Sequence, residues 1–200
     1  MIDAIIFDVA GVIVVWEKMA VVEPGESDLA DFLDSKLWEA INYEVDRGMT
    51  RAQAQERAAQ VDPRLGELFG LYADRFGRTV RGLMPGTTQL IDELQGAGYP
   101  VSGLSNWAAW NFADARRVAP VIERFDGLIV SGEVGLAKPD LDIYVLAIER
   151  FEVNPATTVF IDDRPENLTG AEAAGFQTVL FTSAAQVRAE LIDLGVRLNR

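Results

Sequence analysis

Carboxylates stand where short apolar runs stop. The run Ile2–Phe7 ends at Asp8-Val9-Ala10-Gly11, and Tyr99–Leu104 ends at Ser105-Asn106. Gly127–Val130 is followed by Gly135-Leu136-Ala137-Lys138-Pro139, and Thr157–Ile161 ends at Asp162-Asp163. If these runs are strands of one open α/β sheet, their trailing residues meet at the edge where such sheets bind ligands. Three close carboxylates repel one another unless a cation sits between them. The chain has no His and no Cys, and oxygen-only donors select a hard ion, Mg²⁺ first. Mg²⁺ keeps waters and binds phosphate oxygens, so the same cluster points to a phosphoryl substrate. The missing residue types also exclude Ser-His-Asp and Cys-His triads, disulfides, and zinc held by imidazole or thiolate. Whatever chemistry occurs runs on carboxylates, hydroxyls, amides, Lys and Arg.

The elements that must position these residues alternate. Continuous apolar runs suit parallel strands covered on both faces, and a fifth occurs at Phe176–Phe181. Between the runs lie helical patterns at Thr87–Ala97, Leu141–Phe151 and Glu166–Ala174, the last closing on Gly175 as a C′ glycine. Strand–helix alternation predicts right-handed βαβ units and a doubly wound parallel sheet. From Ser27 to Arg81 no run reads as a strand and the apolar spacing is mostly helical. Ser27 with Asp31 and Thr50 with Gln53 mark helix starts, the second with capping-box spacing. The expected organisation is an α/β core over 1–15 and 85–200, interrupted by a three- or four-helix insertion over 16–84.

Bulk properties bound the setting. Two hundred residues, 49% of them apolar and 24% charged, make one domain able to bury about 70% of its unfolded surface. A net charge of −13 repels a phosphate backbone and an anionic membrane. No apolar stretch reaches membrane-spanning length, and the acidic start MIDAIIFDVAG lacks the basic region of a signal peptide. The expectation is a cytoplasmic protein that acts on a small phosphorylated metabolite, without nucleic-acid or membrane partners.

In order and spacing, IIFDVAGVI, SGLSN, GLAKPD and VFIDD resemble motifs I to IV of the haloacid dehalogenase (HAD) superfamily. DDRPEN and the helical insertion are similar to the branch of sugar-phosphate phosphatases and the phosphatase domain of soluble epoxide hydrolase. The resemblance implies a Rossmann-like core with a C1-type cap. It also implies Asp8 as the nucleophile that forms an aspartyl-phosphate. Ser105, Asn106 and Lys138 would hold and neutralise the transferring phosphoryl. Mg²⁺ would bind Asp8, the backbone carbonyl of Ala10, and the pair Asp162 and Asp163, which of the two ligates being left open. Asn167 matches a supporting position.

One position departs from the pattern. Family phosphatases carry a second Asp two residues after the nucleophile as general acid, and here it is Ala10. A methyl group transfers no proton, whereas such an acid is worth roughly 10²–10⁴-fold. Glu17 is close enough in sequence to be a candidate replacement. The departure keeps two alternatives in view: a metal-independent 2-haloacid dehalogenase, whose halide leaves without protonation, and a non-catalytic HAD-like binding protein. Trp16, Trp107 and Trp110 flank the motif loops and suit either a pocket or the core. Arg75, Arg78 and Arg81 are spaced along one expected helix face that reads as solvated.

Overall fold

A computed structural model describes residues 1–198. Five strands, β1 (Ala4–Phe7), β4 (Val101–Ser105), β5 (Gly127–Val130), β6 (Thr158–Asp162) and β7 (Gln177–Leu180), form one sheet in the order β5-β4-β1-β6-β7, every pairing parallel. A second, antiparallel pair joins β2 (Val14–Trp16) to β3 (Val80–Leu83). The helices are α1 (Ser27–Leu33), α2 (Lys36–Asp46), α3 (Arg51–Ala59), α4 (Pro63–Arg75), α5 (Thr87–Gly96), α6 (Ala113–Val118), α7 (Ser131–Val134), α8 (Leu141–Phe151), α9 (Pro165–Ala173) and α10 (Ala184–Asp193).

Strand side chains alternate between faces, and the sheet uses both. Ile5, Phe7, Val101 and Val159 pack with Leu90, Ile91 and Leu94 of α5 and Val187 and Leu191 of α10. Ile6, Leu104, Ile129 and Phe160 pack with Ile143, Tyr144 and Ala147 of α8 and Leu168 and Ala171 of α9. Helices on both faces explain why the strands read as unbroken apolar runs. The chain steps from β1 outward to β4 and β5, then returns to β6 on the other side of β1. The crevice beside β1 is therefore the topological switch point, where ligands of such sheets bind.

All five expected parallel strands form. The expectation of no strand from Ser27 to Arg81 is corrected: β3 begins at Val80. Val-Arg-Gly-Leu shows neither alternation nor an apolar run, and its partner β2 lies far back in the chain, so pairing rather than local preference makes it a strand. Four helices, α1–α4, lie between β2 and β3. At α3 the side chain of Thr50 accepts from Gln53 N and that of Gln53 accepts from Thr50 N, completing the capping box. The arginine spacing is a second correction. Arg75 ends α4, Arg78 sits in a 3₁₀ turn and Arg81 lies in β3, so no helix face joins them. Each is ion-paired instead, to Glu26, Glu23 and Glu17 respectively. Among the described residues, no helix is long and apolar enough to cross a membrane.

Candidate active site

Parallel pairing of β1 with β6 brings the two acidic loops together: Asp8 N donates to Ile161 O at 2.8 Å, just below Asp162. Asp8 is buried, and its Oδ1 accepts from Val9 N (2.7 Å) and lies 2.9 Å from Lys138 Nζ. Lys138 Nζ also donates to Asp162 Oδ2 at 2.6 Å. The ammonium is thus held between two carboxylates, all three groups nearly inaccessible to solvent. Burial works against the charged ammonium, but Asp8 and Asp162 outweigh it and hold its pKa above the usual lysine value.

The two neighbouring aspartates play different structural parts. Asp162 is fully buried; besides Lys138 it accepts from Asn167 Nδ2 (2.9 and 3.1 Å) and from Arg164 N (2.9 Å). Its oxygens are occupied by the protein. Asp163 is exposed and lines a cavity above Asp8. Its carboxylate lies against Gly11, where a Cβ would come within 2.1 Å of Oδ2. Carboxylate oxygens of Asp8, Asp162 and Asp163 all lie within 4.8 Å of one another. Burial pushes the Asp8 carboxyl up; Lys138 opposes this, while Asp162 and Asp163 add to it. Asp163 is raised by burial first and by Asp162 second. Three carboxylates against one ammonium leave a charge of −2, and the donors are hard oxygens. That set fits a divalent Mg²⁺, with Asp163 as the carboxylate free to ligate.

The amide of Asn106 closes on the backbone of Lys138: Oδ1 accepts from Lys138 N and Nδ2 donates to Lys138 O, both at 2.8 Å. One N–H of that amide remains for another acceptor, and Asn106 lines the cavity. Ser105 ends β4 fully buried, and its Oγ has no partner among the described residues. A buried hydroxyl of that kind normally finds an acceptor. Ala10 lines the cavity beside Gly11. Glu17 does not; it sits after β2, exposed and 3.5 Å from Arg81. All the expected site residues therefore gather at one sheet edge, while the candidate acid Glu17 lies outside it.

The cavity encloses about 350 Å³, within the roughly 300–1,000 Å³ of small-ligand pockets. Its walls are aromatic. Trp38 of α2 meets Tyr72 of α4 edge-on at 4.3 Å between centroids, Tyr72 meets Phe76, and Phe76 meets both Trp107 and Trp110 at 5.9 Å. Trp16, Trp107 and Trp110, ambiguous in the sequence, all line it. The indole Nε1 atoms of Trp107 and Trp110 and the Oδ1 of Asn111 are buried without partners among the described residues.

Polar groups interrupt this wall at α2: Asn42 Nδ2 donates to Asp46 Oδ2 at 3.3 Å, and both residues line the cavity. Asp46 is half-buried, and desolvation pushes its carboxyl up to about 7, against the pull of Lys138 and Arg164. Sequence reasoning passed over Asp46, Asn42, Trp38 and Tyr72. The signal was present in α2, where Trp38, Ile41 and Val45 form an apolar stripe and Asn42 and Asp46, one turn apart, lie along its margin.

Comparison with known proteins agrees with this geometry. Residues 2–175 match the haloacid dehalogenase-like hydrolase family. A sesquiterpene phosphatase of Aspergillus oryzae is 29% identical over 193 residues, covering 96% of this chain and 95% of that protein. A bifunctional riboflavin kinase/FMN phosphatase of Arabidopsis thaliana is 29% identical over 161 residues, 75% of this chain but only 42% of that protein. Among solved structures, a HAD family enzyme of Bacteroides thetaiotaomicron in complex with magnesium and inorganic phosphate superposes with a TM-score of 0.73 at 20% identity, over 92% of this chain and 96% of that one. That likeness extends the shared fold across nearly the whole chain. With its four motif loops meeting at the switch point, this chain belongs to the haloacid dehalogenase-like hydrolases.

Proposed function

We propose that the protein is a magnesium-dependent phosphatase that hydrolyses small phosphate monoesters with an apolar leaving group, through an aspartyl-phosphate on Asp8. The observation that carries the proposal is a single cavity that joins Asp8 and Asp163 of the carboxylate cluster to a wall of aromatic rings. Asp8 attacks phosphorus through Oδ2, the oxygen that neither Val9 N nor Lys138 engages. Lys138, held between Asp8 and Asp162, neutralises charge on the reacting carboxylate. Ser105 Oγ and the second N–H of Asn106 hold phosphoryl oxygens. Asp8, Asp163 and the backbone carbonyl of Ala10 would hold Mg²⁺, which when bound offsets the −2 charge of the cluster and the charge of the phosphoryl group. Asp162 organises Lys138, Asn167 and the loop behind them.

In this reading, residues 16–84 act as a cap over a core of 1–15 and 85–200, and α2 and α4 supply the leaving-group side of the pocket. The apolar character of that side, and the near full-length similarity to a protein named as a sesquiterpene phosphatase, favour an isoprenoid-like or other hydrocarbon monophosphate over a sugar phosphate. Burying each methylene contributes about 0.8 kcal/mol, so kcat/KM should rise up to about fourfold per carbon until the cavity is filled. The test is phosphate release from n-alkyl, prenyl and sugar monophosphates with Mg²⁺ and with EDTA, alongside halide release from 2-chloropropionate. A rise with chain length that EDTA abolishes supports the proposal. Sugar phosphates turned over faster than prenyl phosphate would overturn the substrate class. Halide release that persists in EDTA would restore the dehalogenase.

A further inference from the structure

Ala10 leaves the expected leaving-group acid unfilled, which turns attention to the other carboxyl groups of the cavity. Three carboxyl groups line it: Asp8, Asp163 and Asp46. The first two belong to the nucleophile and metal cluster, and Asp46 alone comes from the helical segment. The residues flanking Asp46 fix its place. Tyr43 Oη donates to Asp140 Oδ2 at 2.9 Å and Arg47 forms an ion pair with the same carboxylate, two residues beyond Lys138. Next in the chain, Gly48 packs so closely on α7 that a Cβ would stand 3.2 Å from Gly132 O. The C-terminal end of α2 is therefore docked on α7 and on the loop that carries Lys138.

We propose that Asp46 is the general acid of this enzyme, delivered from α2 in place of the side chain that Ala10 lacks. The proposal rests on the phosphatase reading. As Asp8 Oδ2 bonds to phosphorus, the bond from phosphorus to the ester oxygen breaks, and the Asp46 carboxyl proton passes to that oxygen, so the alcohol leaves neutral. Water then attacks the phosphorus of the aspartyl-phosphate and gives its proton to the Asp46 carboxylate. The bond to Asp8 breaks, and inorganic phosphate leaves with both carboxyl groups restored. The groups around Asp46 suit the role. Asn42 donates to it along α2, Tyr72 faces it from α4, and Arg164, Lys138, Asp8 and Asp163 lie on the core side. Desolvation keeps it protonated up to about pH 7, near where a general acid is most effective. Tyr72 is the other proton-bearing group of that wall, but burial and the adjacent Asp46 push its phenol further from neutral pH.

The experiment compares wild type, Asp46→Asn and the double variant Asp46→Asn with Ala10→Asp on phosphate esters of graded leaving-group pKa, with Mg²⁺ present. An alkyl alkoxide needs the proton and a nitrophenolate scarcely does. Asp46→Asn also slows the later attack of water, which every ester shares, so the comparison is made on kcat/KM, which reports phosphoryl transfer to Asp8. It should fall on alkyl esters about 10²-fold relative to aryl esters, with a steeper leaving-group dependence and loss of the high-pH limb of the alkyl profile. Ala10→Asp should restore much of the alkyl rate. Aryl turnover in the same samples reports a folded site. Equal losses of kcat/KM on alkyl and aryl esters, or an unchanged slope of kcat/KM against leaving-group pKa, would overturn the assignment of Asp46 while leaving the phosphatase standing. A wild type inert on every ester would remove both.

Discussion

Gly11→Ala tests the division of labour between the two acidic-loop aspartates. Gly11 has φ +78°, and an added methyl would lie 2.1 Å from Asp163 Oδ2 and 2.6 Å from its Cγ. Two costs follow. The left-handed backbone costs a non-glycine residue roughly 1–2 kcal/mol, or about 2–8 °C in Tm for a chain of this size. The steric cost is relieved cheaply, because the atom in the way ends a rotatable side chain; Asp163 swings aside. Stability then suffers little from the contact, but Asp163, proposed to ligate Mg²⁺ beside Asp8, is displaced. If affinity falls tenfold to a hundredfold, as for disturbed metal shells, Mg²⁺ at 100 times the wild-type Kd should stabilise wild type by about 2.7 kcal/mol and the variant by only about 0.4–1.4. Thermal unfolding with and without Mg²⁺ reads both quantities. Gly25→Ala is the control: its φ is +91° with nothing within 4 Å of an added Cβ, so it should show the backbone loss with the full Mg²⁺ shift. A wild-type Mg²⁺ shift in Gly11→Ala would refute Asp163 as ligand.

Other perturbations follow from the buried charges. Lys138→Met leaves Asp8 and Asp162 without their ammonium, a loss of about 3–5 kcal/mol; denaturant unfolding should show the deficit shrinking as pH falls and the carboxyls protonate. Asp46 folds with its pKa raised from 3.8 to about 7, so the native state holds more protons than the unfolded chain between those values, and stability declines as pH rises from about 4 to 7. The full contribution is bounded at about 4 kcal/mol and reduced by solvent around this half-buried group; Asp46→Asn should lose that component of the pH dependence, and an unchanged pH profile of Tm would contradict it. Asp8→Asn removes the proposed nucleophile with almost no change of shape and should abolish phosphate release while retaining the fold by circular dichroism.

The core was readable because its strands are buried on both faces, so Ile5, Ile6 and Phe7 announce a strand without reference to partners. The residues at the strand ends could be gathered on paper because parallel topology sends every carboxyl end to one edge. What could not be read depends on contacts distant in sequence. β3 exists through pairing with β2, and the arginines at 75, 78 and 81 are separated by a change of secondary structure within seven residues. The two aspartates at 162 and 163 are indistinguishable as letters; β6 ends on the first, which meets Lys138, and the bend after the strand turns the second to the cavity. Asp46 was hidden for the same reason, since its proximity to the site comes from the docking of α2 through Tyr43 and Arg47 on Asp140.

The central claim is that phosphate passes through the carboxylate of Asp8. Wild type mixed with a ³²P-labelled prenyl monophosphate and Mg²⁺, then quenched in acid within one turnover, should carry label on the peptide containing Asp8. That label should be released by hydroxylamine and be absent in EDTA and in Asp8→Asn. Rapid phosphate release with no label on the protein, or an equal label in Asp8→Asn, would contradict the account.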